Sequence, residues 1–319
     1  MFQITEAVRE QLIGAIAFTG PSGSGKTLSM LKTAKGMMDK KYGTSISEID
    51  KWKKIGVIDT EHKRSLIYAQ TSGFNVTIDT FLHLDFQKPY TVDRLDQAIK
   101  ALKDHGCEVI IIDSLSHFWE GDGGLLDLQQ QFGGTFQAWR DVNPYYNYFI
   151  SLITGEKHQI DTLCGIRSKQ AYEVSTTETG KLEVQKLGLK PVQRDSLEYE
   201  FQIVFGINMN HQAVALKDNS SIFQFPHQVE TETGEKIYEW LKEGKDVIAE
   251  QNAKKEELIG IINEYKEHAN ESMSNYTKRL IKKAENTYSS LMSMPLNRLE
   301  DFVQNLRTKE TQLPKGEDQ

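Results

Sequence analysis

Gly20-Pro21-Ser22-Gly23-Ser24-Gly25-Lys26-Thr27 follows the apolar run Ile13-Gly14-Ala15-Ile16-Ala17-Phe18-Thr19 and precedes a helical pattern that begins near Lys26. The eight residues match G-x-x-x-x-G-K-[ST] in the strand-to-helix setting that gives this pattern its meaning. Glycines let the chain curl until several backbone N–H groups and a helix N-terminus converge on one anion, which suits a triphosphate. Gly20, Ser22, Gly23, Ser24 and Gly25 are expected to line that anion, with Lys26 reaching its outer phosphates. Thr27 is expected to place its hydroxyl on Mg²⁺, a hard cation that prefers oxygen ligands and keeps several waters. The reading is a nucleoside triphosphate site with Mg²⁺.

Two further strands end in acids that extend this reading. Glu108-Val109-Ile110-Ile111-Ile112-Asp113-Ser114 is apolar up to Asp113, at the place where proteins with such loops hold the carboxylate that orients Mg²⁺. Ile55-Gly56-Val57-Ile58-Asp59-Thr60-Glu61-His62 ends in two carboxylates. A carboxylate beside the γ phosphate can position and polarise the attacking water. Glu61 lies further beyond the strand end and is favoured for that task, while Asp59 is read as holding the turn.

These strands belong to a longer series. Apolar runs at Ile13 to Thr19, Ile55 to Thr60, Val109 to Asp113, Asp161 to Ile166, Glu200 to Ile207 and Gln212 to Leu216 alternate with helical patterns. That alternation predicts an α/β core with a mostly parallel sheet covered by helices. Several runs are too continuously apolar for a sheet with one wet face. Between Ala171 and Leu187 the alternation around Glu178-Thr179-Gly180-Lys181 predicts a projecting hairpin. A boundary is expected near residue 228, giving a core over 1–228 and a Lys/Glu-rich helical region over 229–319 with a frayed end.

Composition excludes other classes. The chain has 319 residues, 45 acidic against 38 basic, and a net charge of -7. No apolar run approaches the ~18 residues of a membrane span, and Glu6, Arg9 and Glu10 interrupt any leader-like stretch, so a cytoplasmic protein with no membrane partner is expected. Its two cysteines, Cys107 and Cys164, sit in apolar runs and are read as core residues. An acidic chain has no general attraction for nucleic acid, so such contact requires a local basic patch.

The three acidic and glycine-rich segments, in this order, resemble the ATPase core of the RecA family, where the strand after the loop helix ends in D-x-E-H and the metal-site strand ends in D-S. In that family the glutamate of the first run is the general base, which implies that role for Glu61. Arg167-Ser168-Lys169, Gly188-Leu189-Lys190-Pro191-Val192-Gln193-Arg194-Asp195 and Ala215-Leu216-Lys217-Asp218 are similar to the small phage-encoded RecA-core ATPases grouped with single-strand annealing and recombination proteins. The resemblance covers roughly Ile13 to Phe225. It implies a RecA-like core, DNA-dependent ATP hydrolysis, a ring or filament of copies in the host cytoplasm, and Lys217 reaching a neighbouring subunit's ATP. The sequence departs from the pattern twice. Gly165 stands where recombinases carry the glutamine that senses the γ phosphate, and Asn219 stands where a second basic residue is usual. One lysine finger in place of two implies slower turnover.

The resemblance also directs single-stranded DNA along two segments. Residues 167–194 hold Arg167, Lys169, Lys181, Lys186, Lys190 and Arg194 with Tyr172 among them, cations for phosphates and a ring for stacking. Residues 117–143 hold Phe118, Trp119, Phe132, Phe136, Trp139 and Arg140, read equally as a base-stacking loop or a covering helix. In the tail, Lys278, Arg279, Lys282 and Lys283 form a basic stripe if helical, and Leu296, Leu299, Phe302, Val303 and Leu306 an apolar face. That face either packs on neighbouring helices or docks a partner, such as a single-strand binding protein or another recombination protein. Two other functions compete: a kinase built on the same loop, and a loading or assembly protein gated by nucleotide.

Overall fold

The computed structural model describes residues 6–73, 75–176, 182–194, 196–269 and 271–312, with the backbone alone over 170–176 and 182–189. The chain divides into two compact units, one of residues 12–243 and one joining 1–11 to 244–319.

In the larger unit the strands are β1 (Ala15–Gly20), β2 (Ile55–Asp59), β3 (Thr71–Gly73), β4 (Val76–Ile78), β5 (Leu82–Asp85), β6 (Val109–Asp113), β7 (Asp161–Thr176), β8 (Leu182–Pro191), β9 (Ile203–Ile207), β10 (Gln212–Asp218) and β11 (His227–Gln228). The helices are α1 (Lys26–Tyr42), α2 (Glu48–Lys53), α3 (Val92–Asp104), α4 (Ser116–Glu120), α5 (Leu125–Gln131), α6 (Trp139–Ile153) and α7 (Thr231–Leu241). The central sheet has the order β11-β10-β9-β1-β7-β6-β2-β5. Its strands from β5 to β9 are parallel, and β10 and β11 are added antiparallel at one end. β3 and β4 form a separate two-stranded ribbon.

The expected α/β class with a mostly parallel sheet is therefore present, and its cause is visible in the strand sequences. Ile16, Phe18, Val57, Ile111 and Leu163 point into one core. Their neighbours Ala15, Ala17, Ile58, Ile112 and Cys164 point into the other. Side chains alternate across a strand, so a sheet covered on both faces needs apolar residues at every position. Cys107 and Cys164 are buried and free, and burial pushes the Cys107 thiol up to about 12. The predicted hairpin is present as β7 paired antiparallel with β8 from Ser168↔Pro191 to Thr176↔Leu182, with a one-residue register shift between Ala171 and Tyr172. Its turn, with Lys181, lies outside the described residues.

The strand register sets the functional edge. Asp59 pairs with Asp113, Asp113 with Gly165, and Gly20 with Arg167. The carboxyl ends of four parallel strands are thus level, at the edge where ligands of open α/β sheets bind.

Helix α1 is buried on most of its circumference, including Lys32 and Lys35. Lys32 pairs with Glu230 at 2.7 Å, and Lys35 pairs with Asp39 and with Glu48 at 2.7 Å. α7 crosses α1 at backbone contact. A Cβ on Gly36 would fall 1.8 Å from the Thr231 carbonyl oxygen, and one on Gly234 would fall 1.9 Å from that of Thr33. Ile237 and Leu241 of α7 lie in the core with Met37 and Met38. α7 therefore packs with the central sheet, and the compact unit extends to Glu243, beyond the boundary expected at 228.

The smaller unit contains α8 (Val247–Glu267), α9 (Glu271–Glu285) and α10 (Leu296–Gln312). Leu299, Phe302, Val303 and Leu306 are buried there with Ile262 and Met273, so the apolar face of α10 packs on α8 and α9. Lys278, Arg279, Lys282 and Lys283 are exposed on α9. No helix among the described residues is long and apolar enough to cross a membrane.

Candidate functional site

The loop from β1 to α1 has two glycines that its shape requires. Gly23 and Gly25 have φ of 83° and 93°, in the left-handed region where a Cβ is strained. Gly25 caps α1 without a side-chain hydrogen bond, and the first turn of the helix has no acidic residue. Its N–H groups and the positive end of the helix dipole therefore face the space in front of the loop. His211 closes one side, its Nδ1 lying 2.9 Å from the Ser24 carbonyl oxygen.

Lys26 Nζ folds onto the loop and donates to the carbonyls of Gly20 at 2.9 Å and Pro21 at 3.0 Å. Burial pulls its pKa below the ordinary lysine value, and the charges of Asp113 and Glu61 oppose that pull only in part. An anion at this point would favour the charged form. Thr27 Oγ1 donates to Asp113 Oδ2 at 2.5 Å, joining the first turn of α1 to the end of β6. Asp113 is buried, and desolvation pushes its carboxyl up to about 6 despite the Thr27 hydrogen bond. A buried carboxylate beside a hydroxyl, with so costly a charge, fits a hard divalent cation. No group of three or more His, Cys, Asp or Glu that could hold a metal occurs among the described residues. Thr27 and Asp113 are the pair placed to hold such a cation.

The two carboxylates after β2 divide as their positions suggest. Asp59 accepts from the backbone N–H of Glu61 at 2.8 Å and of Ser65 at 2.9 Å, and from the Ser65 hydroxyl at 2.6 Å. Its oxygens are occupied in holding the turn. Glu61 instead lines the cavity, where Arg167 Nε donates to its Oε1 at 2.6 Å. Burial raises the Glu61 pKa, but the Arg167 hydrogen bond and charge outweigh it and hold the carboxyl below its usual value. Thr60 and His117, 2.6 Å apart, tie the end of β2 to α4, and Thr60 Oγ1 also accepts from the Ser114 N–H at 2.7 Å.

Lys26, Thr27, Glu61, Asp113 and Arg167 all open on one cavity of about 830 Å³, within the ~300–1,000 Å³ range of small-molecule sites. Gly20 approaches the backbone of Ile207 too closely for any side chain, since a Cβ there would fall 2.4 Å from the Ile207 carbonyl oxygen. Ser22 and Gly23 line the cavity, whereas Ser24 is turned inward and buried. Gly165 has a local reason as well: a Cβ there would lie 2.8 Å from Asp113 Oδ1. A glutamine at this position would collide with the carboxylate. No protein-family model matches this chain, and no curated protein matches it.

The residues assigned to DNA are differently disposed. Arg167 is engaged with Glu61, and Lys169 pairs with Glu120 at 2.7 Å. Arg194 stacks over Trp139 and Tyr146, with its guanidinium carbon 5.3 Å and 4.5 Å from the ring centroids. Lys190 is exposed, and the side chain of Lys186 lies outside the described residues. Residues 117–143 form α4, α5 and the start of α6. Phe118 is buried and Trp119 stacks on Trp139, whereas Phe132 and Phe136 are exposed. Lys217 Nζ donates to the carbonyls of Glu198 at 3.3 Å and Tyr199 at 2.7 Å of its own chain. The contact of Arg167 with Glu61 and the place of His211 over the loop were not foreseen from sequence, because both depend on strand register and not on local pattern.

Proposed function

We propose that this chain is a Mg²⁺-dependent ATPase with a RecA-like core that assembles on single-stranded DNA and promotes phage recombination by annealing or strand exchange. The observation that carries the ATPase part is the convergence on one cavity of a glycine loop at a helix N-terminus, a lysine, a hydroxyl–carboxylate pair and a second carboxylate. Backbone N–H groups and Lys26 bind the phosphates, Lys26 exchanging its carbonyl partners for phosphate oxygens. Thr27 and Asp113 would hold Mg²⁺, which would supply charge neutralisation on the phosphates. Glu61 orients a water and takes its proton. For that step the carboxylate must share or release Arg167, which otherwise holds it in its ionised, weakly basic form.

The DNA part rests on the resemblance described above and on the cations at the β7–β8 end of the sheet. A phosphotransferase would need a group to receive phosphate and a lid to exclude water. Glu61, a carboxylate suited to water, favours hydrolysis. The test is the rate of phosphate release with Mg²⁺ and ATP, with and without single-stranded DNA. Mg²⁺-dependent release that rises with DNA is expected. Transfer of phosphate to a small molecule, or no release under any condition, would overturn the reading.

A further inference from the structure

Two ion pairs fasten the start of the β7–β8 hairpin to the rim of the large cavity. Arg167 Nε holds Glu61 at 2.6 Å, and Lys169 Nζ holds Glu120 at 2.7 Å. All four side chains line the cavity that contains Lys26. Arg167 and Lys169 are two residues apart on β7 and so project from the same side of the strand. Ser168 between them meets Thr19 of β1 at 2.8 Å. Exposure falls along the row, from 66% for the Lys169 side chain to 39% for Arg167 and 13% for Glu61. An anion arriving from solvent therefore meets Lys169 first, then Arg167, and Glu61 last.

The backbone at Arg167 is held on both sides. Its N–H donates to Ser116 Oγ at 3.0 Å, and its carbonyl accepts from the Val192 N–H at 2.8 Å. Pairing with β1 ends at Gly20↔Arg167, and pairing with β8 begins at Ser168↔Pro191. With the backbone fixed, Glu61 is freed when the Arg167 side chain exchanges it for another anion. Arg64 Nη1 stands 3.6 Å from the other Glu61 oxygen, beyond hydrogen-bond reach, so Arg167 is the close partner. Arginine and lysine both pair with phosphate. Two residues of strand separate these two by ~6.6 Å, a spacing that successive phosphates of an extended single strand can match.

We propose that Arg167 is a latch on Glu61, and that the phosphates of single-stranded DNA open it by drawing off Arg167 and Lys169 together. The proposal rests on the reading of the chain as a DNA-dependent ATPase and supplies the link between its two ligands. A carboxylate paired with arginine is a poor acceptor for the proton of water, and one released by DNA is a better one. Arg167 acts through Glu61 and touches no reacting atom.

The experiment measures kcat and KM for ATP, with and without an oligothymidine, in the wild type, Arg167→Ala, Arg167→Lys and the double variant Arg167→Ala with Glu61→Gln, alongside thermal melts. Without DNA, Arg167→Ala should turn over about 10-fold faster than the wild type, the scale of one charge-assisted hydrogen bond, with KM within about twofold. Saturating DNA should raise the wild-type kcat by about 10-fold and that of Arg167→Ala by less than twofold. Arg167→Lys keeps the charge and should fall between them. The double variant should lose the gain, because the gain passes through Glu61. If Arg167→Ala shows no cooperative melt, Arg167→Lys carries the test with the same sign expected. DNA-free turnover no faster than wild type in a folded variant would overturn the latch while leaving the ATPase reading in place, and so would a gain that survives Glu61→Gln. A faster variant beside a wild type that DNA does not stimulate would overturn DNA as the opener, and the DNA part of the functional reading with it. Absence of phosphate release in every protein and condition would sink the ATPase reading itself, and the latch with it.

Discussion

The two edges of the central sheet each bury an aspartate, and the pair separates structure from site. Asp113 ends β6 at the carboxyl edge and Asp161 begins β7 at the amino edge. Desolvation raises the carboxyl pKa of both. Asp161 Oδ1 accepts from the backbone N–H of Gly14 at 2.7 Å, and Lys242 Nζ stands 3.9 Å away. Its charge is answered from within the fold, and it joins β7 to the start of β1. Asp113 has a hydroxyl from Thr27, and it lines the large cavity together with Lys26 and the ends of the loop. Burial and a raised pKa are thus common to both. What distinguishes the carboxyl edge is a carboxylate that opens on a cavity beside Lys26 and the glycine loop.

The comparison breaks most sharply at Lys26. Lys26→Ala should abolish ATP hydrolysis and weaken binding of a fluorescent ATP analogue by ~10-fold or more, the scale of lost charge-assisted hydrogen bonds. Asp161→Asn in the same titration should leave the affinity near the wild-type value. Equal losses in the two variants would show that the edges are not functionally distinct.

Glu61→Gln should retain nucleotide binding while turnover falls by ~10² or more, the usual scale for a lost general base. Asp59→Asn should instead lower the melting temperature, because three hydrogen bonds of the turn lose their acceptor charge. If Asp59→Asn gave the kinetic phenotype and Glu61→Gln did not, the two carboxylates would have to exchange roles.

Stability should move in opposite directions at the two edges. Asp161→Ala leaves the Gly14 N–H without its partner and should cost about 1–3 kcal/mol of unfolding free energy at neutral pH. Asp113→Asn should raise the melting temperature of the ligand-free protein at neutral pH. The sign follows from linkage. A carboxyl at about 6 when folded and near ~3.9 when unfolded favours folding below the lower value and loses that contribution as pH rises through the upper one. The advantage of Asp113→Asn should therefore shrink between about pH 6 and pH 4, read from thermal melts across that range. Mg²⁺ with ATP should stabilise the wild type and not this variant.

The smallest effect concerns Lys217. If it acts on a neighbouring subunit's nucleotide, mixing Lys217→Ala with Lys26→Ala copies should recover a few per cent to a quarter of wild-type turnover. No recovery in mixtures that co-assemble would confine Lys217 to its carbonyl partners on Glu198 and Tyr199.

How far these elements could be read from sequence depended on burial. β1, β2, β6, β9 and the start of β7 are apolar almost throughout because both faces of the sheet are covered there, and β1, β2, β6 and β9 were placed within a few residues, whereas β7 runs on to Thr176, well past the expected end at Ile166. β5, Leu-His-Leu-Asp, is only half-buried and has no continuous apolar run, so it passed unnoticed at the sheet edge. α7 was grouped with the tail because its composition resembles it, yet Gly234, Ile237 and Leu241 bind it to α1. The loop, Asp113 and Glu61 were found because local pattern carries their chemistry. The Arg167–Glu61 pair was not, since it joins residues far apart in sequence through the register of β2 with β6 and of β6 with β7.

The crossing of α1 and α7 has a consequence for how this chain can change. Lys26 begins α1 at the cavity, and Gly36 meets the Thr231 backbone about three turns later. Both ends of that interval are anchored, one to the loop and one to a helix at backbone contact. Substitution within it trades one side chain for another. Inserting or deleting a single residue would rotate all that follows by ~100°, turning Gly36 away and driving a side chain into the Thr231 carbonyl. The interval from Lys26 to Gly36 is therefore a ruler of fixed length, which point mutation can rewrite but an indel cannot.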